Sequence, residues 1–310
     1  MISIIYIRLP SSIISSNAKS TKMLLSIVTI NKNNSAGLNK TIESVISQSC
    51  KCFEYIIIDG ASNDDSLSTI ISHFPQISAS TKSINSSMKF EDGFSVKLIS
   101  EPDSGIFNAM NKGANMASGN FILYLNSGDC LSSKDVVQNI YNEIVADGER
   151  SQIYIGKQIV IDDRGKTIRR EGFSKDEISL LFIYLYQVPH QSTIISTELQ
   201  LANPYHEHFR TASDWDFFLK TIIIQNVPVG LLNTTIAYYN SGGVSSNTKL
   251  HDYECELIFR SLFPARIVAD YMKDAPNKYE IYRLGWLLRH RFAYKICRFI
   301  TSVGMRISSY

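Results

Sequence analysis

Residues 24–60 read LLSIVTINKNNSAGLNKTIESVISQSCKCFEYIIIDG. Leu24 to Ile30 is an unbroken apolar, largely β-branched run, the pattern of a strand buried on both faces. Polar residues Asn31 to Ser35 follow, and then Leu38, Ile42, Val45 and Ile46 recur at helical spacing. Phe53 to Ile58 is a second buried run, and it ends on Asp59-Gly60. Asn63-Asp64-Asp65 then offers caps for a helix through Leu67, Ile70 and Ile71. Strand, helix, strand, helix at this spacing predicts a parallel α/β sheet.

The pattern continues outward from there. Residues 75–95 are serine-rich and polar, an irregular insertion, after which Val96 to Ile99 resumes the sheet. Ile106 to Ala117 is helical, with Gly119 as its expected C-cap, and Phe121 to Leu125 is a fourth buried strand. A helix carries Val136, Val137, Ile140 and Ile144. The second half is more mixed. It holds a hairpin through Ile153–Ile161 and Thr167–Arg170, a short strand at Ser192–Ile195, a helix over Asp214–Ile224 and a strand over Val229–Tyr238. The remainder is helical.

The chain has 310 residues, 44% hydrophobic and 19% charged, with a formal charge of +2. That is enough to bury one substantial core, and the small net charge gives no reason to expect a nucleic-acid partner. No apolar run reaches the ~20 residues needed to span a bilayer. Five cysteines without a spaced pair of pairs form neither a disulfide framework nor a zinc site, and they are expected to be reduced thiols of a cytoplasmic protein. Residues 1–22, with no basic n-region before Ile2–Ile7, make a poor signal peptide and are expected to be an extension of the domain that follows.

Ligands of open parallel sheets bind beyond the carboxyl ends of the strands. Those ends carry Thr29 and Asn31, Asp59, Glu101 to Asp103, and Asn126 to Asp129. No Gly-x-Gly-x-x-Gly follows the first strand. Gly165-Lys166-Thr167 imitates the end of a Walker A loop, but Val160 stands where its first glycine is required. A diphosphate bound here would need a metal ion or scattered donors, and strand-end carboxylates suit a hard divalent cation, Mn2+ or Mg2+.

Ser26-Ile27-Val28-Thr29-Ile30-Asn31 with Tyr55-Ile56-Ile57-Ile58-Asp59-Gly60-Ala61-Ser62-Asn63-Asp64 resembles the opening of the family-2 glycosyltransferases of GT-A fold. Glu101-Pro102-Asp103-Ser104-Gly105-Ile106-Phe107-Asn108-Ala109-Met110-Asn111-Lys112-Gly113 and Tyr124-Leu125-Asn126-Ser127-Gly128-Asp129 are more specific. With Pro189-His190-Gln191-Ser192 and Ser213-Asp214-Trp215-Asp216, they look like the branch that builds bacterial exopolysaccharides such as colanic acid. The resemblance implies that residues 23–245 form the transferase domain: a mostly parallel nucleotide-binding sheet flanked by helices, and a mixed acceptor-side half. It implies an inverting hexosyl- or N-acetylhexosaminyltransferase, with a UDP-sugar as the donor and a lipid-linked saccharide as the acceptor, in exopolysaccharide or O-antigen assembly. Thr29, Asn31 and Asp59 fall where the family binds the nucleoside. Asp103 and Asn111 fall in its donor-binding loop and helix, and Asp129 closes the metal motif. Asn126 and Gly128 stand where that motif commonly has its two aspartates, and Met110 where many relatives have arginine.

Asp214 falls at the family's catalytic base. Direct displacement at an anomeric carbon independently requires a carboxylate to take the acceptor's proton. The bland alternative is that Asp214 only caps the helix beginning at Trp215. His190 is a candidate base or diphosphate contact, against a purely structural role. His206-Glu207-His208 reads as an acceptor-side surface loop, and Gly242 to Ser245 as either a lid or an ordinary loop. In the helical tail, residues 246–310, Ile281, Leu284, Leu288, Phe292, Ile296, Phe299 and Val303 form one apolar face amid Arg283, Arg289, Arg291, Lys295, Arg298 and Arg306. That pattern suits peripheral contact with an anionic inner leaflet, or packing on the domain. Two rival functions are a sugar nucleotidyltransferase and an inactive transferase domain used in assembly. The first lacks its basic glycine-rich loop, and the retained Asp214 argues against the second.

Overall fold

The computed structural model describes residues 25–77, 84–89, 94–162, 164–174, 178–240, 248–273 and 295. One ten-stranded sheet organises them. Strands β1 (Leu25–Asn31), β2 (Phe53–Asp59), β4 (Ser95–Ser100) and β5 (Phe121–Tyr124) lie parallel in the order β4-β2-β1-β5. Beyond β5 the sheet continues antiparallel through β9 (Thr193–Ser196) to β7 (Ile153–Ile161). Next come β10 (Val229–Asn240), parallel to β7, and the short β6 (Cys130–Leu131). Strand β8 (Thr167–Glu171) pairs with β7 as the expected hairpin. The α/β class and the central sheet expected from the sequence are both present.

Both faces of the sheet are covered, which is why its strands read as unbroken apolar runs. Alternation within each run divides two cores. Leu25, Ile27, Phe53, Tyr55, Ile57, Phe121 and Leu123 face one side. There they meet Leu38, Ile42 and Val45 of α1 (Ser35–Ile46) and Ile70 of α2 (Ser66–His73), together with Val137, Ile140 and Ile144 of α4 (Val136–Asp147). Val28, Ile30, Ile56, Ile58, Ile122 and Tyr124 face the other. They pack on α3 (Ile106–Met116), α7 (Ser213–Phe218) and α8 (Thr248–Leu262). Gly113 lets α3 lie directly on β1, because a Cβ there would overlap the Val28 side chain.

Several expectations are corrected. The segment 75–95 is not wholly irregular: Ile84–Lys89 forms β3, antiparallel to β4 at the edge of the sheet. Its sequence INSSMK lacks an apolar run because an edge strand needs no side buried on both faces. Cys50 and Cys52 are joined in a disulfide rather than standing as thiols, while Cys130 and Cys255 form no disulfide. Gly119 does not cap α3, whose C-cap is Ala117. Its N–H instead reaches Ser26 Oγ and Glu54 Oε1. Residues 1–22, Gly242 to Ser245 and the basic tail 281–310, apart from Lys295, lie outside the described residues. Among the described residues no helix is long and apolar enough to cross a membrane.

Glu54 ties the amino-terminal edge of the sheet together. Its carboxylate accepts from Ser26 Oγ, Ser118 N and Oγ, and Gly119 N, and it pairs with Lys97 Nζ at 2.8 Å. Burial alone would raise this carboxyl, but the Lys97 ammonium, the Ser26 hydroxyl and the Ser118 donors outweigh it and hold the group below its ordinary value. Glu54→Gln is expected to cost about 2 kcal/mol at neutral pH, because the half-buried Lys97 ammonium keeps Met116 O but loses its carboxylate. The lowered value stabilises the fold above the ordinary carboxylate range, and that stabilisation disappears as pH falls through the native value. Urea unfolding of wild type and variant should therefore converge as pH falls from the ordinary carboxylate range through that lowered value.

Candidate active site

The polar residues of interest gather at the carboxyl ends of β1, β2, β4 and β5, as expected for this class of sheet. They form two groups.

The first group centres on Asp59, which is 1% exposed. Its Oδ1 accepts from Asn31 Nδ2 and Ser62 Oγ, and its Oδ2 from Ser62 N and Ser100 Oγ. Four donors around one carboxylate fix the ends of β1, β2 and β4 against one another. Asn31 Oδ1 is left buried without a partner among the described residues. Thr29 lies deeper, its hydroxyl donating to Leu125 O and accepting from Tyr55 OH. Asp103 lies over Gly60, where a Cβ would strike its carboxylate, with Lys32 Nζ 3.8 Å away. Gly60 is thus the residue that lets the loop after β4 close onto β2.

Asn111 lies within α3, 9% exposed. Its Nδ2 donates to Tyr205 O and to Glu207 Oε1, and its Oδ1 accepts from Tyr205 N. Glu207 also receives Asn108 Nδ2 at 2.9 Å, and Arg210 Nη1 reaches Ser104 O. These bonds strap the loop between α6 (Thr197–Ala202) and α7 to the start of α3. Sequence reasoning missed this role of Glu207. The signal for it was Asn108 and Asn111, two amides one helical turn apart and in need of an acceptor.

The second group joins β5, β9 and α7. His190, in the turn leading into β9, lies between Asn126 and Asp214: Asn126 Nδ2 is 3.1 Å from its Nε2, and its Nδ1 is 3.0 Å from Asp214 Oδ2. Helix α7 starts at Ser213 with Ala212 at its cap, so Asp214 is not an N-cap. Its Oδ1 accepts from the N–H of Trp215, whose indole is anchored on Ile183 O. The side chain of Asp214 keeps 21% exposure, so it borders solvent while its orientation is fixed from behind. Asp216, two residues on, turns away into the interior. Burial pushes its carboxyl up, with Lys220, His206 and His208 opposing, and His206 Nδ1 is 3.7 Å off.

Asp129 completes this group. It is 5% exposed, and its hydrogen bond is from the N–H of Asn240 at the end of β10. Burial pushes its carboxyl up to about 7, against the lowering effects of that N–H and of His190. Among the described residues no cluster of three or more His, Cys, Asp or Glu side chains is arranged to hold a metal ion. A single buried carboxylate with one donor nevertheless fits a hard cation that takes its other ligands from a diphosphate and water. Asp129 is the residue that would hold it.

A family model described as "Glycosyl transferase family 2" matches residues 26–215. The PGL/p-HBAD biosynthesis glycosyltransferase of Mycobacterium bovis (strain BCG / Pasteur 1173P2) is 25% identical over 227 residues, covering 73% of this chain and 80% of that protein. Among solved structures, S. aureus TarS 1-349 in complex with UDP-GlcNAc superposes with a TM-score of 0.57 at 18% identity, covering 84% of this chain and 69% of that one. The mannosyltransferase PcManGT from Pyrobaculum calidifontis, in complex with GDP-Man and Mn2+, gives a TM-score of 0.55 at 9% identity over 92% of this chain and 81% of that one. These two likenesses are of fold.

Proposed function

Because the chain belongs to glycosyl transferase family 2 and so acts on nucleotide sugars, we propose that it transfers the sugar with inversion to an acceptor hydroxyl in bacterial surface polysaccharide assembly. The observation that carries this reading is the Asn126–His190–Asp214 line beside Asp129, at the strand ends where the donor is expected. The acceptor oxygen attacks the anomeric carbon as the bond to the diphosphate oxygen breaks, and that bond's electron pair leaves with the nucleotide. Asp214 takes the acceptor's proton, and its partly exposed carboxylate, held by Trp215 N–H and His190, suits the task. A cation on Asp129 would neutralise the departing diphosphate when bound.

Thr29, Asn31 and Asp59 make the nucleoside side of the site in this reading, Asp103 and Asn111 belong to its donor-binding loop and helix, and a UDP-sugar is the donor. The UDP-GlcNAc complex of TarS supports that choice, while the GDP-Man complex of PcManGT keeps a second nucleotide in the test. A lipid-linked acceptor accords with the basic, apolar tail. Residues 23–245 are the transferase domain and the tail a peripheral membrane contact.

A panel of UDP-, GDP- and dTDP-sugars tests the proposal through release of nucleotide diphosphate with Mn2+ or Mg2+ present. At least one donor is expected to be consumed and to raise the melting temperature. The product's anomeric configuration, read by NMR, should be opposite to the donor's. Silence with every donor would refute the transferase reading, and retained configuration would refute inversion.

A further inference from the structure

Asn126 follows β5 by two residues, at a position where the metal motif commonly carries aspartate, yet its side chain is committed to His190. An amide nitrogen only donates, so the Nε2 it faces must be the lone-pair nitrogen of the ring. A carboxylate only accepts, so the Nδ1 facing Asp214 must carry the proton. The two ends demand the same neutral tautomer. Asn126 Oδ1 meanwhile stays buried without a partner among the described residues. Turned over, the amide would offer that oxygen to Nε2 and require a doubly protonated, cationic ring.

We propose that Asn126 is a positioning residue for the transfer, locking His190 in its Nδ1–H tautomer so that the ring's proton holds Asp214 toward the acceptor. The inference rests on the transferase reading above. It reverses the apparent meaning of the altered motif. An aspartate at 126 would accept rather than donate, draw a second proton onto Nε2, and set an imidazolium between two carboxylates. Asp214 paired with that cation would be a poorer proton acceptor. The amide is therefore what the His190–Asp214 pair requires.

The test uses the full chain labelled with 15N-histidine at neutral pH, with long-range 1H–15N correlations reporting each ring. The His190 signals are identified by their loss in His190→Gln. In wild type, Nε2 is expected to be unprotonated and Nδ1 protonated. In Asn126→Asp both nitrogens are expected to be protonated, and turnover to fall about 10-fold or more with donor KM within about 2-fold. A wild-type ring protonated at Nε2 overturns the proposal, as does an Asn126→Asp protein with unchanged ring nitrogens and turnover. The spectra need no substrate, so the two readings fail separately. If the expected tautomer appears and wild type consumes no donor, the transferase reading falls and the ring assignment stands.

Discussion

Asp214→Asn should lower turnover by ~10²-fold or more, the scale of a lost general base, with donor affinity nearly unchanged. The amide has almost the volume of the carboxylate and retains an oxygen for Trp215 N–H, so the start of α7 should keep its geometry although the contact with His190 Nδ1–H is lost. What is lost is the site for the acceptor's proton. His190 does not replace it, because its Nδ1 already carries hydrogen and its Nε2 is occupied by Asn126. Asp216 does not either, since it is buried and faces the 206–208 loop. Single-turnover kinetics with calorimetric donor binding separate the two quantities. Normal turnover in the variant would exclude Asp214 as the base.

Asp129→Ala should lower turnover by about 10²-fold, a typical loss when charge on a departing group is left uncompensated, and make the remainder indifferent to chelator. The pH dependence has a definite sign. Below about 7 the carboxyl holds its proton in the cation-free protein, so a cation must displace it. Cation affinity should thus climb as pH rises through that value in wild type. For stability the sign is opposite. The native state keeps a proton that the unfolded chain has already released, so this group's contribution falls as pH rises from the ordinary carboxylate range and is gone above about 7. Without cation, Asp129→Asn should flatten that decline in a melting series from about pH 4 to 7. A chelator-resistant wild type, or an alanine variant with full turnover, would remove Asp129 from the reaction.

The parallel half of the sheet was legible because burial on both faces writes an unbroken apolar run, as in Leu25–Ile30 and Phe53–Ile58. The same rule explains the miss at β3, whose INSSMK has no such requirement at an edge. The start of α7 was placed late because Ser213-Asp214 carries the composition of a cap while sitting within the first turn. At the site, Asp129, His190 and Asp214 could each be named from strand ends and resemblance. Their meeting could not, since it depends on the antiparallel insertion of β9 beside β5. Nor could the saturation of Asp59 by Asn31, Ser62 and Ser100, which come from three separate segments.

The β5–β9 ladder, with Leu123 opposite Ile194, gives the two sides of His190 different lifetimes. Asn126 and His190 are appended to adjacent central strands, so moving their backbones apart requires the middle of the sheet to open. That is an event on the scale of global unfolding, read as the slowest amide hydrogen exchange in the chain. Asp214 arrives from a separate short helix and can leave the ring while the ladder stays closed. Motion that arms or disarms the base therefore belongs to α7, and exchange there should outpace exchange in β5 and β9.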